Sequence, residues 1–418
     1  MKLSWNLLKE LESKYGDSFY ILDFDAFKNN YWEFLKEFRN IYPGTNIAYS
    51  YKTNYLPEIC KYVDSQSGYA EVVSRMEYDL AVKIGVNPRN IIFNGPYKTG
   101  DDLQTALLAG AVVNLDSFQE GLEIKHICGK FPGQEMRVGI RCSLEIEKDF
   151  TSRFGIDVNG HEFEKVILLL KGLKNCKIAG LHCHLITKKR STGDYYMIAT
   201  KMLEVFFNYF EKDSLDFIDI GGGFFSKMDD GLKKQFAYPI PSFKDYAAAA
   251  AVPFAKKFPG ENGPQLIVEP GISITADTMK FVTKIIGVKK SGSKLTAVAS
   301  GSIYNVKPTR SNRNLPITVY CPGKKHDEKN LAAPVDISGY TCMEDDYLYK
   351  GWPGPLSRDD YVVFDNVGAY TIVLKPPFIR PNVPVLSFES GKGTFKVIKR
   401  KEELEDVFAT FSIGSTSK

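Results

Sequence analysis

The stretch Asn46-Ile47-Ala48-Tyr49-Ser50-Tyr51-Lys52-Thr53-Asn54 holds the pattern on which the reading of this 418-residue chain turns. Asn46 to Tyr51 alternate aromatic, branched and small residues and read as a strand. Lys52 then falls at the strand's C-terminal end. An amine flanked there by Tyr49 and Tyr51 is expected to be partly desolvated. Desolvation disfavours the ammonium and lowers its pKa, as a lysine that condenses with carbonyls requires. Taken alone, the stretch fits better an ordinary lysine lying along the surface with its charged end in water.

Outward from this strand, short apolar runs alternate with amphipathic stretches. Strand candidates fall at 46–51, 68–73, 90–94, 111–115, 137–141, 177–182, 217–220 and 266–269. Helical patterns lie between them at 56–63, 75–84, 100–109, 118–128 and 162–170. Eight strands mostly alternating with helices predict an α/β fold, a parallel (β/α)8 barrel of the TIM type, over residues 1–280. Such barrels keep their chemistry at the C-terminal ends of the strands. A doubly wound sheet would usually have fewer strands and one Gly-rich turn near the first. Past residue 280 the rhythm changes to β-type runs at 281–289, 294–300, 314–321, 360–365, 385–388 and 394–399. Pro and Gly punctuate them, as in Gly351-Trp352-Pro353-Gly354-Pro355. They predict a C-terminal all-β domain, sandwich- or barrel-like, over 281–418. Residues 1–20 read as a helix and lead-in free to pack on that domain, and the basic loop at 322–334 as a solvated one.

Composition excludes several functions. The chain carries 54 basic and 50 acidic residues, a balance too even for binding nucleic acid or an anionic membrane. With 44% hydrophobic and 25% charged residues it can build a large core without disulfides or metal. Its seven cysteines include no C-x-x-C pair, which removes zinc ribbons and thioredoxin-type motifs. An odd count without close spacing points to free thiols in a reducing compartment. The first residues lack an apolar signal region, and no run reaches the ~18 apolar residues of a membrane span. A cytoplasmic protein is expected.

Five further segments carry chemistry. Asp219-Ile220-Gly221-Gly222-Gly223-Phe224 follows an apolar strand. Its glycines let backbone N–H groups curl around an anion, although a plain turn fits too. The spacing is not the G-x-G-x-x-G of dinucleotide binding. Alternation puts His182 and His184 of Gly180-Leu181-His182-Cys183-His184 on one face. A metal there needs a third ligand, and none is evident. A satisfied core histidine or an imidazole stacked on a cofactor ring are the alternatives. Val268-Glu269-Pro270-Gly271 ends a strand in a carboxylate, costly to bury unless paired; a protonated pyridine nitrogen would suit. In Thr341-Cys342-Met343-Glu344-Asp345-Asp346 a thiol beside three acids suits a proton donor better than a thiolate nucleophile. The last segment is Asn366-Val367-Gly368-Ala369-Tyr370-Thr371.

In this order the segments resemble fold-type III pyridoxal-phosphate enzymes, and among them the diaminopimelate and ornithine decarboxylases, from about residue 18 to about residue 390. The resemblance implies an alanine racemase-like fold, pyridoxal 5'-phosphate as cofactor, no metal and a homodimer with shared active sites. It implies that Lys52 carries the cofactor as a Schiff base, with Glu71 of Gly68-Tyr69-Ala70-Glu71 near both. By the same resemblance His184 stacks on the ring, Thr187 offers a nearby hydroxyl, and Glu269 bonds the pyridine nitrogen. Gly221, Gly222, Gly223 and Tyr370 hold the phosphate, and Cys342, reaching into the other subunit's barrel, protonates the carbanion. Ser152-Arg153-Phe154-Gly155 resembles a Ser-Lys-Phe-Gly stretch of the family, which makes Arg153 a substrate-binding candidate.

Three departures bear on the substrate. Ile272 follows Glu-Pro-Gly where the family commonly has Arg. Met343 follows the cysteine where an acid is usual, leaving Glu344 or Asp346 to take its place. Lys307-Pro308 stands where diaminopimelate enzymes carry a substrate-binding Arg-Pro, and Lys307 is a point charge without a bidentate clamp. Arg380 is a further candidate at the edge of the site. The expected substrate is an amino acid: a diamino acid, a carboxylated polyamine or another intermediate with an amino-acid head. Diaminopimelate itself is the less favoured. The rivals are a racemase of the same fold, which would typically present arginine rather than Glu269 to the ring, a non-catalytic regulator, and a metal hydrolase built on His182 and His184.

Overall fold

The computed structural model describes residues 1–146, 152–260, 263–323 and 334–412, so most of the basic loop at 322–334 lies outside the described residues. Its first ten strands are β1 (Ser18–Asp23), β2 (Thr45–Ser50), β3 (Tyr69–Val72), β4 (Ile91–Phe93), β5 (Val112–Leu115), β6 (Met136–Ser143), β7 (Ile156–Asp157), β8 (Cys176–His182), β9 (Phe217–Gly222) and β10 (Gln265–Glu269). There follow β11 (Met279–Ser291), β12 (Lys294–Ala299), β13 (Ile317–Tyr320), β14 (Val335–Ser338), β15 (Tyr347–Trp352), β16 (Tyr361–Phe364), β17 (Val385–Glu389) and β18 (Thr394–Lys399).

Eight of these form the expected parallel barrel. Their order is β5-β4-β3-β2-β10-β9-β8-β6, and the parallel pairing of β5 with β6 closes the ring. Parallel strands covered on both faces are apolar nearly throughout, and β2 and β9 are buried at every residue. Ala48, Ile92, Val112, Ala179, Phe217 and Ile267 share one core cluster, small residues making room for the Phe217 ring. Tyr49 is one residue out of phase with Ala48 and therefore faces away from that cluster. The two tyrosines pack on each other with ring centroids 6.0 Å apart, and Tyr51 engages Cys60 of the helix Pro57–Ser65.

The chain divides into two compact units. The barrel unit comprises Asn29–Lys227 and Ala237–Ile274, and the other comprises Met1–Lys28, Met228–Phe236 and Thr275–Lys418. The second unit is built on a sheet of order β15-β14-β12-β11-β1-β17-β18, with β16 also on β11 and β13 on β16. The N-terminal strand is thus an interior strand, antiparallel to β11 and parallel to β17. Phe19 and Ile21 of β1 pack with Val282, Val363 and Leu386, and the helix Trp5–Tyr15 adds Leu8 and Leu11 to the same cluster. Strands β14 and β15 were not anticipated; β15 buries only Leu348 of its six residues and has no sustained alternation. Among the described residues no helix is long and apolar enough to cross a membrane.

Candidate active site

Polar side chains converge at the C-terminal ends of the barrel strands. Lys52 follows β2, and its Nζ is ion-paired with the carboxylate of Glu71, a buried residue of β3. The other Glu71 oxygen accepts a hydrogen bond from Asn94 Nδ2 at 2.9 Å. The same Nδ2 donates to Glu269 Oε1 at 2.7 Å, so both amide hydrogens serve carboxylates from different strands. Asn94 is held in turn by Asn114 of β5, whose Nδ2 donates to Asn94 Oδ1 at 2.7 Å. A continuous line therefore runs Lys52–Glu71–Asn94–Glu269.

Glu269 is the electrostatic centre of the group. His184 Nδ1 lies 2.9 Å from Oε2, and His182 Nε2 lies 3.2 Å from Oε1 without the angle of a hydrogen bond. Burial alone would raise this carboxyl, but the two imidazoles and Lys52 hold it well below the usual range. Burial pushes the His182 imidazole down despite the attraction of Glu269. Asp219 of β9 is displaced the other way, well up, by burial and by the charge on Glu269. The His184 Nδ1 atom is also 3.1 Å from the N–H of Gly222. It can serve only one neighbour at a time: carrying a proton it donates to Glu269, and without one it accepts from Gly222.

The glycine loop leaves β9 beside these groups. Gly221 (φ +72°) and Gly223 (φ +91°) lie in the left-handed region that favours glycine. A Cβ on Gly222 would come within 2.0 Å of the Glu269 carbonyl oxygen, so only glycine lets the two strands approach this closely. Tyr195 anchors the loop by donating to the Gly222 carbonyl at 3.0 Å. Side-chain-free backbone curling beside an anionic buried carboxylate and a lysine amine fits a ligand with a phosphate, a protonated ring nitrogen and a carbonyl.

The structure thus brings together Lys52, Glu71, His184, Gly221, Gly222, Gly223 and Glu269. Thr187 is engaged elsewhere: its Oγ1 donates to Asp194 Oδ2 at 2.5 Å and accepts from the Arg190 N–H at 2.9 Å, bracing the start of the helix Thr192–Tyr209. Arg153 is exposed, its guanidinium 4.0 Å over the Phe154 ring. The buried arginine of this region is Arg141, bonded to Asp116 Oδ1 (3.1 Å) and the His184 carbonyl (3.4 Å). Asn94, Asn114, Arg141 and Asp219 were missed from sequence, although buried polar residues inside apolar strands are themselves a signal. The companions His182 lacked in sequence also appear, since His182, Asp219 and Glu269 place donor atoms within 4.8 Å of one another. They come from three separate strands and so have no linear spacing. Asp219 Oδ1 accepts the Gly221 N–H at 2.8 Å, and Glu269 is engaged by Asn94 and His184, so each of the two carboxyl groups has a hydrogen-bond partner outside the trio, while neither His182 nitrogen meets one.

The remaining candidates belong to the other unit. Cys342 and Glu344 are exposed. Asp346 is buried and committed to the backbone, accepting from the Ile303 N–H (2.7 Å), the Thr341 N–H (3.0 Å) and Thr341 Oγ1 (2.6 Å). Lys307, also buried, lines a cavity of about 190 Å³ with Arg310, Asn314 and Lys350; burial brings its ammonium down to about 8. Tyr370 takes a positive φ of +66°. Arg380 donates to the Ser300 carbonyl (3.0 Å) and to Asp17 (3.2 Å).

A barrel with a strand-end lysine, a glycine loop and a buried carboxylate fits a class of enzymes that work with an aldehyde cofactor. Residues 30–276 match the family described as pyridoxal-dependent decarboxylase, pyridoxal binding domain. The chain belongs to this family, and is a pyridoxal-phosphate-dependent decarboxylase. It is 25% identical over 412 residues to a diaminopimelate decarboxylase of Aquifex aeolicus, covering 95% of this chain and 92% of that protein. It is 24% identical over 429 residues to an L-glutamyl-[BtrI acyl-carrier protein] decarboxylase of Niallia circulans, covering 98% and 97%. In fold it is similar to a diaminopimelate decarboxylase from M. jannaschii solved in complex with L-lysine, with a TM-score of 0.83, 22% identity, and 97% and 94% of the chains covered.

Proposed function

We propose that the chain removes the carboxylate from an amino acid with Lys52 as the residue that carries the cofactor. The observation that carries this assignment is the unbroken line Lys52–Glu71–Asn94–Glu269, which links the reactive amine to a buried anion through two intervening side chains. The cofactor supplies, when bound, an electron sink for the pair left by the departing CO2. Glu269 holds a negative charge where a protonated ring nitrogen would sit. By the family resemblance the glycine loop Gly221-Gly222-Gly223 and Tyr370 receive the phosphate. Glu71 takes or returns a proton at Lys52 Nζ, so that the amine can leave for the substrate and come back. His184 orients the ring. Cys342 of the partner subunit returns a proton to Cα, and the working form is a cytoplasmic homodimer.

Ile272 and Met343 support a substrate other than diaminopimelate, because each removes a polar group the family uses there. A diamino acid, a carboxylated polyamine and, from the name of the Niallia circulans relative, a carrier-bound amino acid are the classes to assay. Among the binding candidates Lys307 is favoured over Asp346, whose oxygens are already taken. The test is borohydride reduction of the cofactor-loaded protein followed by peptide mapping. A pyridoxyl group on Lys52 supports the assignment; a label on another lysine, or none, refutes it.

A further inference from the structure

Two carboxyl groups, Glu269 and Asp219, lie fully buried in the floor of the site with donor atoms within 4.8 Å of each other and of His182. Two like charges this close, out of water, cannot both persist, and one group must hold a proton. The hydrogen bonds decide which. Glu269 accepts from Asn94 Nδ2 at 2.7 Å and has His184 Nδ1 at 2.9 Å, two partners suited to an anion, with the His182 ring 3.2 Å away outside hydrogen-bond geometry. Asp219 has a single donor, the Gly221 N–H at 2.8 Å on Oδ1, while Oδ2 meets no donor. The titratable groups facing Asp219 are Glu269, Glu71, Cys183 and His182, and both acids among them disfavour a second negative charge.

We propose that Asp219 is a neutral positioning residue that gives a hydrogen bond to Glu269 and, through Oδ1, ties the first glycine of the loop to that carboxylate. One side chain then sets both the anion that meets the ring nitrogen and the loop that meets the phosphate. Gly221 has little freedom of its own, since any displacement toward β8 meets the Cys183 carbonyl, 2.6 Å from where a Cβ would stand. The bond to Asp219 therefore fixes the loop at its tightest point. This role rests on the cofactor assignment made above only through Glu269; the protonation of Asp219 is a property of the chain alone.

Asparagine reproduces a protonated aspartate in shape, with one donor and one acceptor, and cannot mimic the anion. Asp219→Asn is expected to keep cofactor affinity within about threefold, and Asp219→Leu to weaken it tenfold or more through loss of both bonds. The infrared spectrum at pH 7 is expected to contain a protonated-carboxyl C=O band that Asp219→Asn lacks. The pH profile of cofactor binding is expected to coincide for wild type and Asp219→Asn. Loss of tenfold or more in the folded Asn variant, a changed pH profile, or no lost band would each overturn the proposal. If Asp219→Leu does not fold, the Asn variant and the infrared band still decide. Borohydride trapping on wild-type Lys52 in the same preparation separates this outcome from failure of the cofactor assignment, which would leave the band in place.

Discussion

Asn94 is the residue whose removal the geometry makes most consequential, and Asn94→Leu keeps its approximate volume while deleting both donors. Its Nδ2 bonds at 2.9 Å to Glu71 and 2.7 Å to Glu269 end on buried carboxylates. Hydrogen bonds to charged groups are worth about 1.5–3 kcal/mol each, which sets a ceiling of about 6 kcal/mol for the pair. Lys52 remains on Glu71 and the two imidazoles remain on Glu269, so about half of this should be recovered. A net loss of about 3 kcal/mol is expected, which in a protein of this size lowers Tm by roughly 3 °C. Misplacing both carboxylates should also weaken cofactor binding about tenfold or more. The assays are a thermal melt of the cofactor-free protein and a cofactor titration. A Tm within 1 °C of wild type together with unchanged cofactor affinity would refute the view that Asn94 joins the two halves of the site.

Three other outcomes follow from the same geometry. Glu77, buried beside Glu71, is pushed up to about 7 by burial, with its Oε2 accepting the Val73 N–H at 2.8 Å. Its folded value lies above its unfolded one, so its contribution is fully present below about pH 4.5 and is lost as pH rises through about 7. Glu77→Gln should therefore stabilise the protein at pH 8, by on the order of 3 kcal/mol, and make no difference near pH 4; equal denaturation midpoints at pH 8 would contradict this. Lys307 is shifted in the opposite sense, down to about 8, so the folded state resists its charge. Lys307→Met should raise Tm at pH 6, with the gain shrinking as pH climbs through about 8 toward the unfolded value; a gain independent of pH would count against burial as the cause. Mixing Lys52→Ala with Cys342→Ala subunits should restore part of the activity each lacks alone, since a mixed dimer rebuilds one intact site. No recovery from verified mixed dimers would remove Cys342 from a cross-subunit role.

The barrel could be read from sequence because its strands are buried on both faces and appear as apolar runs bounded by helices, from Thr45–Ser50 round to Gln265–Glu269. Lys52, Glu269 and the glycine triplet were legible because each sits beside a strand end with its own local signature. Asn94, Asn114 and Asp219 were not, since their importance lies in meeting across β4, β5 and β9, and closure of the ring is invisible in linear spacing. The same limit hid the companions of His182. Asp346 misled in the opposite direction: an acid four residues after a cysteine suggests a ligand contact, yet its oxygens cap Ile303 and Thr341.

The central claim is that this chain cleaves the Cα–carboxylate bond of an amino acid through Lys52. It is tested most directly by incubating cofactor-loaded wild-type and Lys52→Ala protein in heavy water with D- and L-diamino acids, carboxylated polyamines and a carrier-bound amino acid, followed by mass spectrometry. The expected result is loss of CO2 from one compound with a single deuterium added at the former Cα, by wild type and not by Lys52→Ala. Deuterium at Cα with the carboxylate retained, or CO2 release undiminished in Lys52→Ala, would contradict it.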